Sequence, residues 1–287
     1  MQGKVLFKIA NSFLLNDFSS SEKIKAVIRK KTKSQFTILV GDNVFYENDK
    51  YEGFVIEKIM ERNNFLIRPK VANVNAVCIV FSVKEPDFSS YSLNKFLAFY
   101  ESRNVDFVMI YFSKMDLLNK TELLKMNEII SEYKKNNYVV FTSVEKDKCK
   151  KEILNLIKKN TICFAGQSGV GKSTLINYLV PDLHLKTQEI SKSLNRGKHT
   201  TTSSFIFPFS DGFILDTPGF SSLDLNMTKL ELANAFTDFR NNSIHCKFKN
   251  CLHLNEINCY IKNMVDAKKI YHQRYLDYQK MMSEIKK

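Results

Sequence analysis

Gly166-Gln-Ser-Gly-Val-Gly-Lys-Ser-Thr174 is the stretch that decides the fold of this chain. An apolar, strand-like run, Thr161–Ala165, precedes it, and Thr174–Val180 after it has the spacing of a helix. A glycine-rich loop between a strand and a helix is the required setting of a phosphate-binding P-loop. Residues predicted to contact a nucleotide here are Gly166, Gln167, Ser168, Gly169, Val170, Gly171, Lys172, Ser173 and Thr174.

Each part of this loop has a physical task. Its glycines let the backbone curl so that successive N–H groups point at one phosphate, and the following helix adds its own amides and dipole. Lys172 is expected to reach the β- and γ-phosphates, and the Ser173 hydroxyl to hold Mg²⁺. A plain glycine turn is the alternative, but all fixed positions and both flanks agree with the P-loop.

Composition indicates an ordered chain with a polyanionic partner. Its 287 residues suffice for two or three domains, and 44% hydrophobic with 25% charged residues exclude a disordered chain. A net charge of +13 and a pI near 9.3 favour nucleic acid over membrane as the partner, although lysine-rich compositional bias accounts for part of the charge.

The sequence predicts a cytoplasmic protein without membrane association. Met1–Phe18 lacks the features of a signal peptide, and no apolar run approaches about 18 residues. Six cysteines are too sparse for a disulfide framework, and three of them stand in apolar surroundings where buried, reduced thiols are expected: Cys78, Cys149 and Cys163.

Residues 1–67 predict a small closed β-barrel. About five short strands separated by polar turns suit the five-stranded OB-fold. The predicted strands are Val5–Ile9, Ile24–Ile28, Phe36–Val40, Phe54–Ile59 and Phe65–Ile67. The basic residues between Lys23 and Lys33 could contact phosphates or could simply charge a strand edge against aggregation, and both interpretations stay open.

Residues 68–228 predict an α/β domain with the P-loop in its middle. Buried strands alternate with helices, which is typical of a parallel sheet covered on both faces. The predicted elements are strands at 76–82, 106–112, 138–141, 205–209 and 212–215 and helices at 91–100, 120–134 and 152–158. A polar, mobile loop is expected over 186–204.

Residues 229–287 predict a helical, zinc-binding domain. Eleven Lys/Arg against six Asp/Glu give this end a charge of +5, and one long helix is expected from about Tyr260. Three thiolates and one imidazole form the closed tetrahedral set of a structural zinc site, with His245 as the rival ligand. The predicted ligands are Cys246, Cys251, His253 and Cys259.

Two further motifs predict GTP rather than ATP as the nucleotide. Asp216-Thr-Pro-Gly219 follows a strand, where Asp216 can hold Mg²⁺ through water and the Gly219 N–H can sense the γ-phosphate. Ser113-Lys-Met-Asp116 follows another buried strand. An Asp116 carboxylate there can accept both N–H donors of the guanine edge, and the stem of Lys114 can cover the ring.

The order of these motifs is reversed, because the guanine-reading motif precedes the P-loop. The same sheet can form if the old termini are joined and new ones are cut after the Asp-x-x-Gly strand, and such permutation is tolerated on exposed loops. The sequence therefore predicts a circularly permuted GTPase whose C-terminal domain can sense the nucleotide state.

With these motifs the chain resembles the ribosome small-subunit-dependent GTPases, the RsgA/YjeQ group. The resemblance covers nearly the whole chain and implies an OB-fold, a permuted GTPase domain and a zinc-bearing helical domain. It also implies GTP hydrolysis stimulated by the small ribosomal subunit during late maturation. Besides the motifs above, it rests on Gly41-Asp42, Arg68–Asn73, Pro86–Ser89, Leu175–Asn177, Arg196–Thr202 and Asp216–Phe220.

Two departures bear on affinity and catalysis. Ser113 stands where many GTPases carry Asn, and Phe220 replaces the water-positioning Gln of Ras-like proteins. A neutral His199 imidazole could orient the attacking water, as the family pattern also suggests, or it could be only a surface histidine. One of Thr200, Thr201 and Thr202 is expected to be the second Mg²⁺ ligand, and the resemblance implies that it is Thr201.

Three functions are compatible with these residues. The first is a monomeric GTPase that binds small-subunit rRNA through its barrel and zinc domain and is released by hydrolysis. The second is an RNA-binding scaffold whose nucleotide is only structural, against which the intact Lys172, Ser173 and Asp216 argue. The third is an ATPase with incidental RNA affinity.

Overall fold

The computed structural model describes residues 1–9, 12–28, 37–181, 183, 205–217 and 223–285. They form two compact units. One unit comprises Met1–Ala76, Lys150–Ala165 and Lys172–Pro218, and the other comprises Val77–Cys149, Gly166–Gly171 and Gly219–Lys287.

Thirteen strands and eight α-helices are assigned within the described ranges. The strands are β1 (Gln2–Ile9), β2 (Ser12–Asp17), β3 (Lys23–Ile28), β4 (Asn43–Asp49), β5 (Gly53–Ile59), β6 (Phe65–Leu66), β7 (Val71–Ala72), β8 (Ala76–Ser82), β9 (Phe107–Ser113), β10 (Val139–Thr142), β11 (Thr161–Ala165), β12 (Phe205–Phe209) and β13 (Gly212–Asp216). The helices are α1 (Ser90–Glu101), α2 (Lys120–Lys135), α3 (Lys146–Ile157), α4 (Lys172–Leu179), α5 (Lys229–Ala235), α6 (Thr237–Asn242), α7 (Tyr260–Asp266) and α8 (His272–Glu284).

The first unit begins with a closed five-stranded barrel in the order β1-β2-β3-β5-β4. Because side chains alternate across a strand, every second residue faces the barrel interior. That interior is a cluster of buried side chains: Val5, Phe13, Leu15, Ala26, Ile38, Val44, Tyr46 and Ile56. The OB-like barrel expected from the sequence is therefore confirmed.

Two of the five predicted barrel strands were wrong. Thr37–Val40 forms no strand, and Val40 makes only an isolated bridge to Val71. Phe65–Leu66 pairs with β7 outside the barrel. Their places are taken by β2 and β4, whose polar ends obscured the alternation: in β4 only Val44 and Tyr46 are buried, between half-buried or exposed neighbours.

The first unit also carries three strands of the α/β layer. β11 is buried along its whole length and pairs with β13 in parallel, and β12 pairs with β13 as an antiparallel hairpin. α4 leaves the P-loop at Lys172. The predicted hairpin over 205–215 is confirmed.

The second unit carries the other α/β strands, in the order β10-β9-β8, with β10 parallel to β9. Ser89 caps α1 by accepting the Ser92 N–H. α2 starts with a capping box, in which the Asn119 side chain accepts the Glu122 N–H and Glu122 accepts the Asn119 N–H. Strands thus alternate with helices as the sequence predicts.

The C-terminal helices complete the second unit and correct one prediction. The single long helix expected from Tyr260 is two helices, α7 and α8, because the chain turns after Asp266 and Lys268 adopts a positive φ of 55°. Buried side chains of both helices pack in one core with α5, α6 and Ala98 of α1. This end of the chain therefore packs within its own unit.

Among the helices in the described ranges, none combines the length and apolar character needed to cross a membrane.

Candidate nucleotide and zinc sites

The P-loop has the backbone geometry that its glycines predict. Gly166, Gly169 and Gly171 have φ values of 153°, 78° and 89°. A Cβ on Gly166 would lie 2.3 Å from the Val80 carbonyl oxygen, so only glycine fits there. Immediately after this loop Lys172 is buried and Ser173 is exposed at the first turn of α4.

Ser113 joins the guanine-reading motif to the P-loop. Its Oγ lies 2.5 Å from the Val170 carbonyl oxygen and 3.3 Å from that of Phe81. A hydroxyl has one proton to donate, so the shorter contact to Val170 is the hydrogen bond. Ser113, which stands where many GTPases carry Asn, therefore hydrogen-bonds to the P-loop backbone.

The loop after Ser113 presents an acidic side chain to solvent. Lys114 adopts a left-handed conformation with φ of 58°, and its Nζ donates a hydrogen bond to the Glu85 carbonyl oxygen. The next residues form a short 3₁₀ turn, Met115–Leu117, on which Asp116 is exposed. A free carboxylate beside a fixed lysine stem is the arrangement expected for reading a guanine edge.

Sequence reasoning missed two residues that support this loop. Ser143, just beyond β10, accepts a hydrogen bond from the Met115 N–H at 3.0 Å. Lys84 Nζ lies 3.1 Å from both carboxylate oxygens of Glu122. The hydrogen bond from the Asn119 N–H, and to a lesser extent that from Lys84, lowers the pKa of Glu122 below its usual value. The available signal was positional, since Ser143 follows the strand parallel to β9 and such strand ends meet at one edge.

Asp216 lies at the C-terminal end of β13 in the first unit. In the parallel pair it is opposite Phe164, two residues before the P-loop begins, and Thr217 Oγ1 donates to the Phe164 carbonyl oxygen at 2.8 Å. Mg²⁺ prefers hard oxygen ligands, so the Asp216 carboxylate and the Ser173 hydroxyl suit it chemically. The remaining predicted residues of this region, His199, Thr201 and Gly219, lie outside the described residues.

The predicted zinc ligands converge in the second unit. One ligand atom from each of Cys246, Cys251, His253 and Cys259 lies within 4.8 Å of all the others. His253 Nδ1 is 3.7 Å from the sulfur of Cys246 and 3.4 Å from that of Cys259. Sulfur ligands about 2.3 Å from a tetrahedral zinc lie roughly 3.8 Å from one another, so the spacing fits the metal.

Two tyrosines anchor the backbone of this cluster, and burial shifts the pKa values of its ligands. The hydroxyls of Tyr275 and Tyr278 donate to the carbonyl oxygens of His253 and Leu252 at 2.7 and 2.5 Å. Burial raises the pKa of the Cys251 thiol to about 12 and lowers the pKa of His253. The rival ligand His245 is exposed, its ring centroid lies 4.9 Å from that of Tyr260 at an angle of 55°, and it is not one of the converging residues.

An OB-like barrel, a P-loop following the guanine-reading loop in the chain, and a C-terminal Cys₃His cluster define a circularly permuted P-loop GTPase. The RsgA GTPase family model matches residues 59–226. The chain belongs to the RsgA GTPase family.

Individual relatives agree over the full length. The chain is 69% identical over 288 aligned positions to a small ribosomal subunit biogenesis GTPase RsgA from Malacoplasma penetrans, covering 100% of both chains. It is 32% identical to YjeQ from Thermotoga maritima, whose crystal structure it matches with a TM-score of 0.83 over 99% of this chain and 97% of that one. The structure of YloQ, described as a circularly permuted GTPase, matches with a TM-score of 0.81 at 32% identity, over 99% and 94% of the two chains.

Proposed function

We propose that this GTPase acts in the biogenesis of the small ribosomal subunit, binding the subunit in its GTP form and leaving it after hydrolysis. The observation that carries the proposal is the hydrogen bond from Ser113 to Val170, which brings the guanine-reading loop to the P-loop. The name of the relative from Malacoplasma penetrans supplies the process. The proposed domains are residues 1–67, 68–228 and 229–287.

The chain's own residues divide the work of hydrolysis. Asp116 selects guanine, and the P-loop amides with Lys172 bind the phosphates and offset the charge that develops on them. Ser173, Asp216 and Thr201 would hold Mg²⁺, which supplies further charge neutralisation when bound. His199 would orient the attacking water, since no Gln follows the Asp-x-x-Gly motif.

Two surfaces support binding to rRNA. On the barrel, Lys23 and Lys25 of β3 are exposed. In the zinc domain, Lys247 lies over the ring of Phe248, 5.5 Å from its centroid, and Phe248 is 43% exposed. Exposed lysines can neutralise phosphates and an exposed ring can stack on an unpaired base. A cytoplasmic monomer fits this role.

Co-sedimentation with purified small subunits tests the proposed cycle. A non-hydrolysable GTP analogue should increase the amount of protein that sediments with the subunits, relative to GDP. Equal amounts in both nucleotides would contradict the switch. Turnover should rise when subunits are added, fall to background in Lys172→Ala, and fall in His199→Ala if that imidazole orients the water.

Nucleotide competition separates the GTPase from the ATPase and scaffold alternatives. Asp116→Asn exchanges one acceptor for a donor, so the loop should lose guanine and favour xanthine, which carries a carbonyl where guanine has an amino group. An unchanged preference would mean that Asp116 does not read the base. Measured subunit-dependent turnover would exclude a purely structural nucleotide.

A further inference from the structure

A β-bulge turns one aromatic side chain of the barrel outward. In the pairing of β1 with β2, Val5 is opposite Leu15, but Phe7 is opposite Leu14, so Leu6 is the extra residue. Val5 and Leu15 belong to the barrel core, whereas Leu14 does not. Because paired residues share a face, the bulge directs Phe7 away from the barrel interior.

Phe7 is nevertheless buried, because its ring stacks on the hairpin of the α/β layer in the same unit. Its side chain is 5% exposed. The centroids of the Phe7 and Phe205 rings are 4.4 Å apart at 26°, and those of Phe205 and Phe207 are 4.7 Å apart at 16°. Three rings therefore connect β1 to β12.

The middle ring of this stack, Phe205, is paired with the residue predicted to serve Mg²⁺. In the antiparallel pair of β12 with β13, Phe205 is directly opposite Asp216. Asp216 is opposite Phe164 on its other side, two residues before the P-loop. Phe7 of the barrel is thus connected to Asp216 through Phe205, which stacks on Phe7 and is paired with Asp216.

A second contact from β1, made by Lys4, is with β13, the strand that carries Asp216. Lys4 faces outward like Phe7, and its Nζ lies 5.2 Å from the centroid of the Phe213 ring on β13. The Lys4 side chain is 6% exposed, so this contact is inside the protein rather than at its surface. β1 therefore supports both strands of the hairpin.

We propose that Phe7 is a positioning residue for Asp216, acting through Phe205. The inference rests on the proposed function of Asp216 in holding Mg²⁺. A functional site needs its side chains held within about 0.5 Å of the productive geometry, and neighbours that lock those side chains provide this. Removing the Phe7 ring frees β12 on the barrel side, so the carboxylate beside it is held less precisely.

The test measures binding of a fluorescent GTP analogue as Mg²⁺ is titrated, in full-length protein without ribosomes. The Mg²⁺ midpoint is the concentration that gives half of the Mg²⁺-dependent increase in affinity for the GTP analogue. In Phe7→Ala and Phe7→Leu this midpoint should be roughly three- to tenfold higher, because a stacked aromatic pair is lost. Affinity without Mg²⁺ should stay at the level of the unaltered chain. Phe7→Tyr keeps the ring and should behave as the unaltered chain does.

Phe13→Leu is the matched control, since Phe13 is a buried ring of the barrel interior on the strand next to β1. It should lower stability without moving the Mg²⁺ midpoint. The proposal is overturned if folded Phe7→Leu keeps the original midpoint, or if Phe13→Leu shifts it equally. If Phe7→Ala does not fold, Phe205→Leu replaces it, because it removes the other ring of the same stack and should raise the Mg²⁺ midpoint in the same way.

Asp216→Asn separates the premise from the inference. It should abolish most of the gain in affinity that Mg²⁺ gives to the unaltered chain. If it has no effect, Asp216 does not hold Mg²⁺, and the proposed role of Asp216 and this inference fail together, while the co-sedimentation test of the proposed function stands apart. If it acts as expected while the Phe7 variants do not, the inference alone fails.

Discussion

The Ser113 hydroxyl donates to the Val170 carbonyl oxygen over 2.5 Å, although the two residues are 57 positions apart. It joins the end of β9 to the P-loop that follows β11. The loop predicted to read guanine and the phosphate loop are therefore neighbours despite their reversed order along the chain. Binding one nucleotide requires that these two loops lie close together in space, whatever the order in which their strands follow one another along the chain.

Removing this hydroxyl should weaken nucleotide binding. Ser113→Ala leaves the carbonyl of Val170, a residue that is 1% exposed, without the hydroxyl donor, at a cost of about 1–2 kcal/mol. We expect the Kd for GTP to rise roughly 5- to 30-fold, because the P-loop is then less firmly held. Equilibrium binding of GTP measures this. Ser113→Thr keeps the hydroxyl and is the control, and an equal loss in both variants would mean that packing rather than the hydrogen bond matters.

The Cys₃His cluster should carry zinc and stabilise the C-terminal helices. Purified protein should contain one zinc per chain, and Cys251→Ser should lose it and melt at a lower temperature, because the carbonyls of His253 and its neighbour Leu252 anchor α8 through Tyr275 and Tyr278. Elemental analysis with thermal unfolding gives both quantities. His245→Ala should retain the metal, since His245 lies outside the cluster. Zinc loss in that variant would reassign the ligands.

Arg274 should be required for stability, because it ties α8 to α1 and α6. It is fully buried, with 0% exposure. Its Nη1 is 2.9 Å from Asn94 Oδ1, its Nε is 3.0 Å from Asp238 Oδ2, and its Nη2 is 3.4 Å from Glu101 Oε2. Removing one partner of a buried ionic network costs about 3–5 kcal/mol.

Arg274→Met should therefore lower the free energy of unfolding by about that amount. Arg274→Lys should lower it somewhat less, because lysine keeps the positive charge, although one ammonium cannot bond in all three directions. Urea denaturation followed by circular dichroism measures the change. Arg240→Lys is the control, because Arg240 is an exposed arginine of the same domain whose bonds go largely to backbone carbonyls. Comparable losses in the Arg240 and Arg274 variants would contradict the special role of Arg274.

Features with a local signature could be predicted from the sequence, and features made by distant partners could not. The P-loop, the buried strands and the four zinc ligands are recognisable from spacing within about a dozen positions. The partners of Arg274 come from α1 and α6, and nothing in the local sequence marks Asn94 or Glu101 as buried. Strand β4 was missed for a related reason, since its few inward side chains acquire meaning only when the barrel closes.

Lys4 should make stability depend on pH in the alkaline range. Burial lowers its pKa from 10.5 to about 8, against the opposing attraction of Asp42. Below pH 8 both folded and unfolded chains carry the proton, and the folded state pays to bury the charge. Between pH 8 and 10.5 the unfolded chain binds more protons at this group, so its contribution to the free energy of unfolding rises with pH, by about 3 kcal/mol in total.

Lys4→Met should remove this rise and stabilise the protein at pH 7. The Gly41 carbonyl oxygen, which lies 3.4 Å from Lys4 Nζ, keeps a hydrogen bond from Asn73 Nδ2 at 3.0 Å, so no acceptor is abandoned. Denaturant unfolding between pH 7 and 10 compares the two proteins, with Lys8→Met as the control because Lys8 is exposed on the same strand. Parallel pH profiles for Lys4→Met and the unaltered chain would show that the buried ammonium has no such energetic cost. The expected result is that Lys4→Met is more stable at pH 7 and that most of the difference is lost by pH 10. Deprotonation of Lys4 in the unaltered chain then removes the charge that methionine lacks at every pH.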